Sequence, residues 1–65
     1  MFWFCKVYVD GGEHYNCVAS TGSEFTAAKA ARIHYRSEGE IVTDVEAEMF
    51  NSFEHGDPED YEIVT

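Results

Sequence analysis

Two short runs rich in β-branched and aromatic residues, 2–10 and 14–20, stand either side of Asp10-Gly11-Gly12-Glu13. Adjacent glycines supply the positive backbone angles of a tight reversal, so these residues predict a β-hairpin. The loop length follows from the register that gathers the apolar residues. A two-residue loop at Gly11-Gly12 would pair Val7 with Asn16 and Val9 with His14, mixing the faces. A three-residue loop, Gly11 to Glu13, pairs Val9 with Tyr15, Val7 with Cys17 and Cys5 with Ala19, and gives one apolar face that includes Trp3. The other face then carries Phe2, Phe4, Lys6, Tyr8, Asn16, Val18 and Ser20. Neither register sets Cys5 directly opposite Cys17, which predicts two buried thiols rather than a disulfide.

A helix is expected from about Ser23 to Ser37. Thr21-Gly22-Ser23-Glu24 fits a capping box, with Ser23 as a competing N-cap. Phe25, Ala28, Ala31 and Tyr35 form the predicted buried stripe, with Ala27 beside it, and Gly39 is the C′ residue. From Glu40 to Phe50 the pattern returns to a period of two. Ile41, Thr43, Val45, Ala47 and Met49 point one way; Glu40, Val42, Asp44, Glu46, Glu48 and Phe50 point the other, as in a half-buried antiparallel strand. Glu54 to Asp60 contains Gly56 and Pro58 and reads as a turn or mobile loop. Tyr61 to Thr65 can add a short fourth strand beside the third.

The predicted fold is one α+β domain over residues 1–65, with the order β-β-α-β and an optional last β. Its antiparallel-rich sheet has three or four strands in the order 2-1-3 or 2-1-3-4. One helix covers one face, reached by a right-handed crossover.

At 65 residues the core has little margin, and ten aromatic side chains must supply much of it. Charge is sharply divided. Glu38 to Thr65 carries ten of the thirteen carboxylates and no Lys or Arg, whereas residues 1–37 hold all four basic side chains. With a net charge of −9, such a chain is drawn to cationic surfaces and repelled by nucleic acid and anionic membrane. Residues 1–5 are apolar, but Lys6 ends a run too short for a signal peptide, and no stretch approaches a membrane span. An intracellular, cytoplasmic location is the expectation.

Asp44, Glu46 and Glu48 repeat every ~6.7 Å along one strand face. One reading is a solvated face whose charges discourage edge-to-edge aggregation. The sharper reading is a ladder that docks on Lys and Arg. One DNA strand carries a phosphate every ~3.4 Å, so a single ladder is half as dense, and mimicry requires a second row. Glu54, Asp57, Glu59, Asp60 and Glu62 supply it if the tail folds alongside. Phe50 and Tyr61 are candidate anchors near the ladder. Phe2, Phe4 and Tyr8 form an alternative, aromatic interface unless the C-terminal segment covers them through Phe50 or Phe53.

Lys29, Arg32 and Arg36 form a helical stripe expected to pair with neighbouring carboxylates. Cys5, Cys17, His14, His34 and His55 show no metal-ligand spacing, and Glu54 to Asp60 lacks a calcium-loop pattern, so no metal or cofactor is expected. No nucleophile–base motif or phosphate loop occurs, which argues against an enzyme.

In size, acidity and β-β-α-β layout the chain resembles small phage-encoded inhibitors of the anti-CRISPR and anti-restriction type, several of which mimic nucleic acid. That resemblance implies a non-enzymatic protein acting in an infected bacterial cell, and it carries over no individual residue. The expected function is docking on a basic surface of a nucleic-acid-binding protein, through Asp44, Glu46, Glu48, Glu59, Asp60 and Glu62. The alternative is an assembly module that dimerises or docks a partner through the aromatic sheet face.

Overall fold

A computed structural model describes residues 1–65. The hairpin strands are β1 (Phe2–Val9) and β2 (His14–Ser20); helix α1 (Glu24–Ser37) and strand β3 (Val42–Met49) follow. A single-turn helix α2 (Ser52–His55), a 3-10 turn at Pro58–Asp60 and strand β4 (Ile63–Val64) complete the chain. The sheet order is β3-β1-β2-β4, antiparallel except for the β2–β4 pair.

The strand order 2-1-3 is as expected, with the most apolar strand at the centre. The fourth strand lies elsewhere: β4 pairs parallel with β2, through Val18–Ile63 and Ala19–Val64, rather than beside β3. The intervening residues explain this. They cross the sheet face opposite α1 and deliver the chain to the far edge, where Val64 is 5% exposed and joins the main core.

The hairpin loop has three residues, as expected, but they are Asp10 to Gly12. Val9 N–H donates to Glu13 O at 3.0 Å, and Gly11 and Gly12 take φ of 95° and 84°. Sliding the loop by one residue shifts the pairing by two, so both faces keep their residues. It also corrects the cysteine placement. Cys5 lies directly opposite Cys17, and both are free, fully buried thiols.

Ser23, not Thr21, caps α1. Its side chain accepts from Thr26 N–H, and the Thr26 hydroxyl accepts in return from Ser23 N–H. Thr21 instead donates its hydroxyl to Ser23 O and accepts the Trp3 indole N–H at its carbonyl. Ala27, Ala31 and Tyr35 face the sheet, one step of four apart. Phe25, expected in the stripe, is 77% exposed. At ~100° per residue Phe25 lies about 120° round the helix from Ala31, outside the sheet-facing row and toward Val45 and Ala47 of β3. The C-terminus closes in a Schellman arrangement, Glu40 N–H to Tyr35 O and Gly39 N–H to Arg36 O, with Gly39 at φ 90°.

A β-bulge sets the alternation of β3. Tyr8 pairs with Asp44 but Val9 with Val42, so Thr43 is an extra residue. The inserted residue reverses the face before it. Val42 therefore enters the helix-side core, and Ile41, predicted to point there, is 66% exposed.

A second, smaller core lies on the other face. Phe4 is 9% exposed and Val18 fully buried. Residues 50–62 form a strap over them, with His55 stacked on Phe4 at 4.1 Å and Tyr61 edge-on at 5.5 Å. The expected loop over 54–60 is thus two hydrogen-bonded turns, capped by Asn51 and Asp57.

Candidate functional site

The bulge fixes which way the β3 carboxylates point. Beyond Thr43 the even residues share a face with Phe4, Lys6 and Tyr8, away from α1. Asp44, Glu46 and Glu48 are all exposed there. Lys6 stands opposite Glu46, and the Tyr8 hydroxyl donates to Glu46 Oε1 at 2.9 Å.

Every ion pair in the fold uses a histidine. Arg32 and Arg36, expected to neutralise neighbouring carboxylates, pair with none. The basic stripe lies on α1 and the ladder on the opposite side of the sheet, so the charge division of the sequence becomes a division between faces. On the ladder's own face the one Lys or Arg is Lys6, opposite Glu46 but in no ion pair with it. Three carboxylates thus meet a single cation, and the excess field extends into solvent, screened by salt.

The strap adds acids unevenly. Glu48 and Glu54 converge on His55, with Nε2 3.4 Å from Glu48 Oε1 and 3.9 Å from Glu54 Oε2. Asp57, Glu59 and Asp60 are exposed along the strap. Glu62 departs from the ladder. It lies next to β4, at the opposite sheet edge, 3.0 Å from His34 Nε2. With three strand spacings of ~4.8 Å each between β3 and β4, the tail does not form a continuous second row beside the ladder.

Two clusters bring a histidine and two carboxylates together, His34–Glu38–Glu62 and Glu48–Glu54–His55. In the second, Asn51 N–H donates to His55 Nδ1 at 3.0 Å. Nδ1 therefore keeps its lone pair and the ring proton sits on Nε2, so the nitrogen facing the carboxylates is a donor rather than a metal ligand. Both clusters lie where separate elements meet. The second sits between the strap and β3, and the first between the tail and the end of α1.

The aromatic candidates are largely committed within the chain. Phe4 is under the strap; Phe50 and Tyr61 are half-buried against His55 and Phe4. Tyr61 also donates its hydroxyl to His55 O. Phe2 remains 40% exposed and Phe53 fully exposed. The continuous aromatic patch of Phe2, Phe4 and Tyr8 is therefore not present on the surface, because residues 50–62 occupy its centre. His55 was weighed in the sequence only as a metal ligand, and its stack on Phe4 was not foreseen, although Asn51 four residues ahead is the usual N-cap of such a turn.

The hydrogen bond with Cys17 lowers the Cys5 thiol below its usual value, in a side chain that is fully buried. The hydrogen bond with Cys5, then burial, pushes the Cys17 thiol up, which keeps it neutral. Burial chiefly raises Tyr35. Tyr8 is raised above the usual phenol value by its bond to Glu46, and Tyr15 by its bond to Glu40 at 2.9 Å. A raised phenol pKa means the folded state favours the neutral form. The stability from these bonds is thus intact below pH ~10 and drains away as pH climbs above it. Absorbance titration of phenolate should place Tyr8 and Tyr15 later than a free tyrosine, and Glu46→Gln should bring Tyr8 back towards it.

The fold and site together define a small α+β domain with a mixed four-stranded sheet, a helix on one face and an acidic strap on the other. Comparison with family models, curated proteins and solved structures returned no match. No helix is long and apolar enough to cross a membrane.

Proposed function

We propose that the protein is a non-enzymatic binding protein that docks its acidic face on a Lys- and Arg-rich surface of a nucleic-acid-binding protein and inhibits it by occupancy, as anti-CRISPR and anti-restriction inhibitors do. The observation that carries this reading is the uncompensated ladder. Asp44, Glu46 and Glu48 project together from one strand, Lys6 opposite Glu46 is the single basic side chain on that face and forms no ion pair, and the exposed strap acids Asp57, Glu59 and Asp60 belong to the same side of the sheet.

Cytoplasmic action in an infected bacterial cell belongs to the same proposal. The contact is best described as electrostatic docking rather than a copy of a phosphate backbone, since Glu62 is turned to the other edge and paired with His34.

The test is capture at low salt on the immobilised chain, with wild type and the Asp44→Lys, Glu46→Lys, Glu48→Lys variant run in parallel. Basic nucleic-acid-binding proteins should be retained by wild type, eluted by a salt step and lost from the variant. Equal capture by both would refute the reading.

A further inference from the structure

We propose that the outer edge of β3 takes up an extended segment of the cationic partner as a fifth strand, one whose side chains alternate between cationic and small apolar residues. This rests on the reading of the acidic face given above, and it names how that face is engaged.

The first observation is the free edge. β3 ends the sheet. Phe50 N–H bonds to Phe2 O at 3.0 Å, so in this antiparallel pair the even residues of β3 turn their backbone groups toward β1. The backbone groups of Val45, Ala47 and Met49 then point outward. One of these donors is already satisfied: Asp44 Oδ1 accepts from Val45 N–H at 2.9 Å. An incoming strand would replace that bond and free the Asp44 carboxylate for a cation.

The second observation is a groove of about 900 Å³ along this edge. Val45 and Ala47 line it together with Glu46 and Glu48, although the two pairs occupy opposite faces of β3, and it reaches Phe4 and Lys6 of β1 on the ladder side and Glu24 on the helix side. Only a groove lying along the strand's edge meets both faces. Phe25 and Ala28 of α1 close its helix side, which accounts for an exposed Phe25 beside an unpaired strand. A strand placed there alternates its side chains between two environments. One is mainly apolar, under Phe25, Ala28, Val45 and Ala47 with Glu24 at its end; the other is net acidic, beside Glu46 and Glu48 with Lys6 between the strands.

Charge decides the occupant. A second copy of this chain paired through β3 would bring two carboxylate ladders together, and like charges across a strand pair are unfavourable. A strand with Lys or Arg at alternate positions meets the same ladder with opposite charge.

The test uses a labelled heptapeptide of alternating Lys and Val, and a second with the same residues in block order, Lys first and Val last. Anisotropy at low salt reads affinity, and amide exchange reads the edge. The alternating peptide should bind at least ~10-fold more tightly, protect the Ala47 and Met49 amides, and lose its advantage in Phe25→Ala. Equal binding of both peptides without protection of those amides would overturn the edge proposal and leave electrostatic docking standing. Binding of neither peptide would overturn both. A salt-dependent dimer seen by light scattering, with Ala47 and Met49 protected in the absence of peptide, would show that the edge serves self-association instead.

Discussion

Exchanging Asp44, Glu46 and Glu48 together for lysine is expected to weaken binding to a cationic partner by at least ~10-fold at low salt. An exposed ion pair contributes ~0.2–1 kcal/mol. Reversal removes that attraction and adds a repulsion of similar size, so three positions amount to ~1–6 kcal/mol. The fold should survive the exchange, because all three side chains are exposed and what is lost, the Tyr8 bond and the Lys6 neighbour of Glu46 and the His55 contact of Glu48, lies at the surface. Glu48 alone touches a histidine, at 3.4 Å. Wild-type binding should itself fall steeply as salt rises past ~0.15 M, where screening shortens to ~8 Å. Titration calorimetry at two ionic strengths checks both effects. A variant that binds as tightly as wild type would mean that the ladder only confers solubility.

Phe4→Ala is expected to be the most destabilising single change on the strap side. Removing a buried Phe ring costs ~3–5 kcal/mol, which approaches the whole stability of so small a domain. The ring is the floor on which His55 and Tyr61 rest, so its loss should also release residues 50–62. Urea unfolding reads the first effect and amide exchange along the strap reads the second. Phe25→Ala is the natural control. At 77% exposure its removal should shift stability by less than ~0.5 kcal/mol, although it lies in the helix that the sequence pattern filled with core. Should Phe4→Ala behave like Phe25→Ala, the strap would be a loose cover rather than a second core.

Much of the fold is legible in the residues. The Gly11-Gly12 reversal, the helix ending at Gly39 and the alternation through Glu48 follow from local chemistry, and the central place of the first strand follows from its apolarity. Errors arose where a residue acts through something not local. The bulge at Thr43 inverts the face of Ile41 and Val42, and no property of Thr43 itself announces it. Phe25 is a good core residue by composition, but the helix start at Ser23 and the row through Ala27, Ala31 and Tyr35 turn it outward.

The tail was the least legible part. Its destination depends on a stack between Phe4 and His55, fifty-one positions apart in the sequence. Strand periodicity alone cannot reveal that contact. For the candidate site, the ladder is readable from its period, whereas the separation of the helix cations from it, with only Lys6 on its face, is not. That required knowing that Lys29, Arg32 and Arg36 lie on the opposite side of the sheet. The groove beside Phe25 was hidden for the same reason, because it is shaped by one helix and one strand edge that are distant in sequence.

The central claim is occupancy of a basic surface by the acidic face, and displacement measures it most directly. A partner captured at low salt is loaded with a fluorescent DNA duplex, and the protein is then titrated in while anisotropy and mass are followed together. The account expects the duplex to be released as the protein binds, and expects the Asp44→Lys, Glu46→Lys, Glu48→Lys variant to release none. Formation of a ternary complex, with the duplex still bound beside wild-type protein, would contradict it.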